Sequence, residues 1–540
     1  MEAWDIIVVG DGPAALRAAA AAAKHGASTL MVAVNALGSS TDAGRDGFAA
    51  SVQESNNRSH REDTIRNGAF LCDQDIVAQR TADAVRNLDL LERWGVNFRR
   101  DSTGLPLVSK AMSHSKPRVA DAGDATAREV QKTLEEQCMR YGVVRRGDHL
   151  PLSLIHSNQT VHGITVADMI NGRILSIQCK AAIIADEGFE GVLSHGSIGV
   201  GMDLALQAGL PLRNMEFMHS TPLGITDTNL ILPDGLLSAG ATLHEASGAD
   251  LDLGDETHAS ICAAVAQAKQ AVIDARHLGD SSDWWAGVFR SVEQRTGIDM
   301  SKQTVAIEVR PSLSIGGIAT DECGRAVNGA WSRWFTGLYA AGDAACSGFH
   351  GVSVMPGNQL LDAIGGGLAA GDHAGQWVQS RKLSGSNLAQ EEEDRANADF
   401  TAMCGTQDDA VIRVGSVATK LRDASRQALI GERDAASLSH SIEDLEALSV
   451  TAESIHLDQH SLIANTNLVE ISRIQAGIRL VLAATQSALA REESRGSHQR
   501  SDYPEQSEDQ LHHTTVNQTG TTSTLGLRKG STGNWVLPPQ

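Results

Sequence analysis

The chain is short of positive charge: 45 lysines and arginines face 66 aspartates and glutamates, for a formal net charge of -21. Such a surface repels phosphate backbones and anionic lipid, which excludes nucleic acid and a bare membrane as main partners. Cysteine is scarce too, with seven residues and no C-x-x-C pair. Disulfide frameworks and thiolate-held metal are therefore not expected; reduced, mostly buried thiols in a cytoplasmic protein are, with no metal site. No apolar run approaches the roughly 18 residues of a membrane span. The N-terminus, MEAWDIIVVG, enters a strand with no basic region before it, so no signal peptide is expected. What is present is a chain of 540 residues, 41% hydrophobic and 21% charged. That is an ordinary soluble composition, too long for one core, and it implies about three or four lobes.

An apolar run at 5–9 leads into Gly10-Asp11-Gly12-Pro13-Ala14-Ala15 and an alanine-rich segment at 16–24. This is the dinucleotide fingerprint G-x-G-x-x-[G/A] between a strand and a helix. Gly10 permits the tight turn, Gly12 lets the backbone approach a pyrophosphate, and Ala15 allows close helix packing. The next strand, 28–34, would normally end in an acid that grips the adenosine ribose; here it ends in Asn35, so that contact is made by Asn35 or is absent. The loop at 38–47 is small and polar, suited either to a flat ligand or to a solvated turn. Helical spacing at 63–94 and 125–141, and strands near 152–155, 161–166 and 174–184, predict an α/β sheet with an inserted β-meander.

After a helix at 202–209 the composition becomes loop-rich, and a second lobe runs to about Arg310. The first lobe resumes near 314 and includes Leu338-Tyr339-Ala340-Ala341-Gly342-Asp343, a short strand ending in Gly-Asp, then a small-residue helix at 359–371. A strand stopping at glycine brings backbone close to a ligand, the acid accepts from hydroxyls, and the helix start offers unpaired N–H groups. Alone, that pattern also occurs as plain α/β scaffolding. A polar linker at 384–397, a helix bundle from segments at 411–429, 435–449 and 468–492, and an irregular polar tail at 496–540 complete the reading.

Taken together, VVGDGPAALRAA, STDAGRDGFAA, DTIRNGAFLCDQDIV, ERWGV, GLPLRNMEFMHSTPLGI, IDARHLG, SIGGIATDECGRA, GLYAAGDAACSGFHG, GNQLLDA and REESRGSHQRSDYPE resemble, in order and across nearly the whole chain, the flavoprotein subunit family of succinate dehydrogenase and fumarate reductase, which includes L-aspartate oxidase. The resemblance implies a Rossmann-like FAD-binding domain over 1–218 and 313–377, interrupted by an α+β capping domain over 219–312. A helical domain over 398–495 and a C-terminal extension over 496–540 would follow. FAD would be held by Gly10, Gly12, Ala15, Asn35, Ser40, Thr41, Gly47, Gly342, Asp343, Asn358, Gln359 and Leu360. The Gln359 and Leu360 amides would stabilise charge on the flavin. An iron–sulfur partner subunit is implied, which would place a cytoplasmic chain on the inner face of a membrane without a span of its own.

Departures from the family pattern sharpen the expectation. Covalent FAD attachment uses a histidine directly before the loop threonine; that position is Ser40, so non-covalent FAD is expected. His219 matches one substrate clamp, and Asp234 stands where a Thr-Glu pair is usual. The other clamping His and Arg positions are Ser312 and Val354, and the proton-shuttling Arg has no counterpart in ASICAAVAQA. Losing buried charge partners and a general acid costs about 3 to 5 kcal/mol each, which counts against ordinary C4-dicarboxylate turnover. Arg310 and Arg45 are the candidate substitute cations, with packing arginines as the alternative. His219, Asp234 and Arg310 are thus the expected catalytic set for hydride transfer between flavin and a small, dicarboxylate-like substrate. The alternatives are a less charged substrate, or a retired FAD-binding subunit of a complex.

Overall fold

The computed structural model describes residues 2–38, 45–54, 57–194, 198–328, 333–405 and 412–539. Ser40 and Thr41 lie outside the described residues. The core is a parallel sheet in the order Val144–Arg146, Thr29–Val32, Glu2–Val9, Arg173–Ile184 and Trp334–Ala340. Ile6 to Val9 are at most 1% exposed, as apolar strands covered on both faces must be. The expected meander is present: His149–Ser157 pairs antiparallel with Thr160–Asp168, which pairs antiparallel with Arg173–Ile184.

Two helices lie against each other with almost no side chain between them. In the fingerprint helix Pro13–Lys24 every residue from Pro13 to Ala22 is buried. Across from it runs Asn358–Trp377, here the flavin helix. A Cβ added at Gly367, Gly371 or Gly375 would lie 2.5, 2.1 or 2.9 Å from the carbonyl oxygens of Ala14, Ala18 and Ala22. Glycine at every fourth position therefore lets the two backbones touch, fixing the start of one helix against the start of the other.

The second lobe is more regular than its composition implied. Met218–Ile225, Val305–Ser314, Ala271–Asp274 and Thr242–Glu245 form an antiparallel sheet over a core that includes Leu223, Leu236, Ile273 and Trp285. Two of its strands, Thr242–Glu245 and Ala271–Asp274, are four residues each, too short to show alternation in sequence.

Two expectations are corrected in the C-terminal third. The stretch expected as a linker is the helix Ser386–Met403, in which only Ala389 is buried. Glutamate, glutamine and alanine favour helix without an apolar stripe, and Glu392 and Glu393 accept hydrogen bonds from Ser153 Oγ and Ser176 N–H on the meander, at 3.0 and 2.7 Å. The tail is not simply irregular: His513–Val516 pairs with Leu212–Arg213 on one side and with Thr522–Leu525 on the other. Between these regions the helices Val414–Leu429, Ala435–Glu453 and Thr466–Ala490 form the expected bundle.

Candidate functional site

A cavity of about 590 Å³ opens at the C-terminal ends of the parallel strands, lined by Gly10, Gly12, Asn35, Asp186, Gly342, Asp343 and Gln359 among others. Gly10 has φ +119°, and a Cβ there would lie 2.3 Å from Ala185 O, so only glycine closes this turn. Gly12 caps the fingerprint helix, whose first-turn N–H groups are suited to phosphate. Gln359 Nε2 donates to both oxygens of Asp343, at 3.2 and 3.1 Å, so the two expected flavin contacts hold each other in place.

The cavity is acidic. Burial, with Glu187 nearby, raises Asp11 to about 6; burial raises Asp186 to about 7; burial and the neighbouring Asp343 raise Glu190 to about 7. Asp11 Oδ2 and Asp186 Oδ1 are buried without a partner. A cavity of this size, with a helix start for phosphate and unpartnered oxygens for hydroxyls, fits FAD.

A smaller pocket of about 20 Å³ adjoins the cavity beneath the second lobe, and Arg45, Ser312, Leu313 and Gln359 line both. His219 enters it from Met218–Ile225 at a shift in strand register between His219 and Ser220, a bulge that re-aims the side chain. His219 Nδ1 accepts the Val354 N–H at 3.3 Å, which leaves the ring proton on Nε2. The His219 and His258 rings lie 4.4 Å apart, tilted by 30°. Burial holds His219 well below the usual imidazole range and His258 at about 4, so both are neutral near pH 7. Asp234 is pushed well above the usual carboxylate range by burial and by Asp46. Its backbone N–H donates to Asp46 Oδ1 at 3.0 Å, and Arg45 pairs with Asp46 at 3.6 Å. Among the described lining residues, Arg45 is the one arginine or lysine.

The expected site residues divide by position. Gly10, Gly12, Asn35, Gly342, Asp343 and Gln359 line the larger cavity; His219, Asp234, Gly47, Gln359 and Leu360 line the smaller pocket. Ala15 is fully buried in the fingerprint helix, consistent with a packing role. Asn358 lines neither: its Oδ1 accepts from His60 Nε2 at 2.8 Å and its Nδ2 donates to Thr64 Oγ1 at 3.1 Å, so its side chain braces the helix from behind. Arg310 is likewise elsewhere, its guanidinium bonded to Thr228 O, Ile225 O and Glu308. Its strand pairs with Met218–Ile225, and residue 310 there faces the Ile225–Thr228 turn rather than the pocket. His258 was missed. It sits at the start of His258–Gln267, the helix in which a shuttle arginine was sought, and no spacing in sequence marks it.

This cavity and its covering lobe define a dinucleotide-dependent flavoprotein. The chain belongs to the FAD-dependent oxidoreductases of the succinate dehydrogenase/fumarate reductase flavoprotein family: the FAD binding domain matches residues 5–360, and the fumarate reductase flavoprotein C-term residues 418–540. The fumarate reductase flavoprotein subunit of Mycobacterium tuberculosis is 28% identical over 95% of this chain and 94% of its own length. That of Escherichia coli is 25% identical over 92% and 88%. The E. coli quinol fumarate reductase structure shares the fold, with a TM-score of 0.90 at 23% identity over 100% of this chain and 99% of that one. No helix among the described residues is long and apolar enough to cross a membrane.

Proposed function

We propose that this chain moves a hydride between FAD and the carbon skeleton of a small organic acid that presents one carboxylate rather than two. The observation that carries this reading is the pocket wall: Arg45 stands alone as a cation among neutral His219, neutral His258 and a carboxyl-raised Asp234. A second carboxylate would meet no second cation among the described lining residues, at a cost of several kcal/mol.

FAD, when bound, accepts or returns the hydride at its N5. Arg45 holds the substrate carboxylate against the flavin end of the cavity. His219, protonated on Nε2, donates to the uncharged end of the substrate, beside Asp234, whose carboxyl burial pushes well above its usual range. His258 is the base: its ring has Cys262 Sγ 3.8 and 3.9 Å away and a further hydrogen bond toward the Ser220 backbone, leaving a nitrogen to take a proton. With FAD supplying the hydride acceptor, one substrate C–H bond would give up its hydride, the adjacent carbon would give its proton to His258, and a C=C bond would form. The N–H groups that open the flavin helix stabilise the charge left on the cofactor.

FAD is held without a covalent bond in this reading, because Ser40 replaces the attaching histidine. The chain works as one subunit of an assembly, as the names of its relatives describe for them, and passes electrons to a partner subunit. Chemically reduced, FAD-loaded protein should be reoxidised by crotonate with a kcat/KM at least about tenfold above that for fumarate, followed by flavin absorbance under anaerobic conditions. Preference for fumarate by a similar factor would overturn the one-carboxylate reading while leaving FAD in place.

A further inference from the structure

Two cations line the whole of the large cavity among the described residues, one near each end, against the acids Asp11, Asp186, Glu187, Glu190 and Asp343. Arg45 is at the flavin end, where the cavity meets the smaller pocket. The other is Arg473, and it does not come from the sheet lobe at all. It projects from the bundle helix Thr466–Ala490, 438 residues along the chain from the side chain it meets.

That side chain is Asn35. Arg473 Nη2 donates to Asn35 Oδ1 at 2.9 Å. Asn35 follows the second parallel strand, Thr29–Val32, where dinucleotide folds carry an acid that accepts from ribose hydroxyls. With its Oδ1 taken by the guanidinium, Asn35 has only its Nδ2 to offer a ligand in the cavity it lines, and Arg473 adds further N–H groups. The subsite is therefore donor-rich where the usual one is an acceptor. Arg473 has a side chain 14% exposed, and its Nε is buried without a partner. Its one ion pair is Glu470, 3.6 Å away on the same helix and 54% exposed, a contact too loose and too wet to fix the guanidinium.

We propose that the Asn35–Arg473 pair is the subsite for the adenosine ribose of FAD, so that the C-terminal bundle completes the cofactor site. The ribose oxygens act there as acceptors, and the guanidinium offsets pyrophosphate charge in a cavity that is otherwise acidic. The shared requirement is an acceptor-rich group on the adenosine half, and FMN, which lacks that half, gains nothing from the pair. This rests on the FAD cofactor and is independent of which acid is the substrate.

The test is titration of the full-length, FAD-stripped protein with FAD and with FMN, followed by flavin fluorescence, for wild type, Arg473→Ala, Arg473→Lys and Asn35→Ala. Arg473→Ala should raise the FAD Kd at least about tenfold, Arg473→Lys should restore part of the loss, and FMN affinity should stay within about twofold. The unfolding midpoint of each stripped variant separates binding from folding. An FAD Kd within twofold of wild type in both Arg473→Ala and Asn35→Ala would overturn the proposal. Equal losses for FAD and FMN, or a loss matched by a collapsed midpoint, would overturn it as well, since the pair would then be structural. No FAD binding by wild type would instead sink the cofactor assignment itself.

Discussion

Arg45 and the groups around it decide the chemistry at the scale of single residues. A charged hydrogen bond in a dry pocket contributes about 3 kcal/mol, so Arg45→Ala should lower kcat/KM for the carboxylate substrate about 100-fold, measured at saturating FAD. His258→Gln should lower kcat by about 100-fold or more and leave KM little changed, the pattern of a lost base rather than a lost clamp. The acids of the cofactor cavity act on stability instead. Asp186 stands at about 7 and Asp11 at about 6, above the ordinary 3.8, so the folded chain holds protons that the unfolded chain releases. The stability they contribute is full below about pH 4 and is lost as pH rises through 7. FAD-free protein should therefore unfold at a higher temperature at pH 6.5 than at pH 8. Asp186→Asn should reduce that slope, with Glu190, also raised to about 7, carrying the remainder, and an amide oxygen still accepts the Gly201 N–H that Asp186 Oδ2 takes at 2.7 Å.

The elements matter through the contact between the fingerprint helix and the flavin helix. Gly371 comes within 2.1 Å of Ala18 O once a Cβ is added, with backbone on the other side and no flexible side chain to yield. Gly371→Val should therefore push the helices apart, cost about 1 to 3 kcal/mol in unfolding free energy, and weaken FAD binding, although residue 371 lies outside the cavity. Thermal melts and flavin titration of that one variant check both effects. The contact was legible in sequence as two small-residue helices, each behind a strand ending in glycine, because close approach demands small residues at helical spacing. The two four-residue cap strands, Thr242–Glu245 and Ala271–Asp274, and the tail strands were not legible: strands of four residues carry too little alternation to stand out. Asn358 and Arg310 show a related limit at the site. Motif position gave their places in the chain, while the direction of each side chain was set by His60 and Thr64 in one case and by the turn carbonyls in the other.

Across the whole molecule, the C-terminal tail is tied into the sheet lobe by buried charge. Asp73, fully buried, meets Arg213 Nη1 at 3.0 Å, His513 Nε2 at 3.1 Å and the Arg528 N–H at 2.7 Å. Removing residues 496–540 would strip Asp73 of two of these three partners and expose Leu212–Arg213 as a sheet edge, so a chain ending at 495 should lose at least about 3 kcal/mol or fail to fold, as read by calorimetry. Arg473 belongs to the same scale: no reading of the first 40 residues could supply a partner for Asn35 that lies 438 residues on. Sequence pattern thus gave the cofactor through local motifs, and the tertiary fold gave His258 and Arg473. The cofactor is the claim on which the substrate, the base and the ribose subsite all depend. Its most direct test is the absorption spectrum of the purified protein before and after acid precipitation. A flavin spectrum that passes entirely into the supernatant is the predicted result; a colourless protein would contradict the cofactor, and flavin retained in the pellet would contradict its non-covalent attachment.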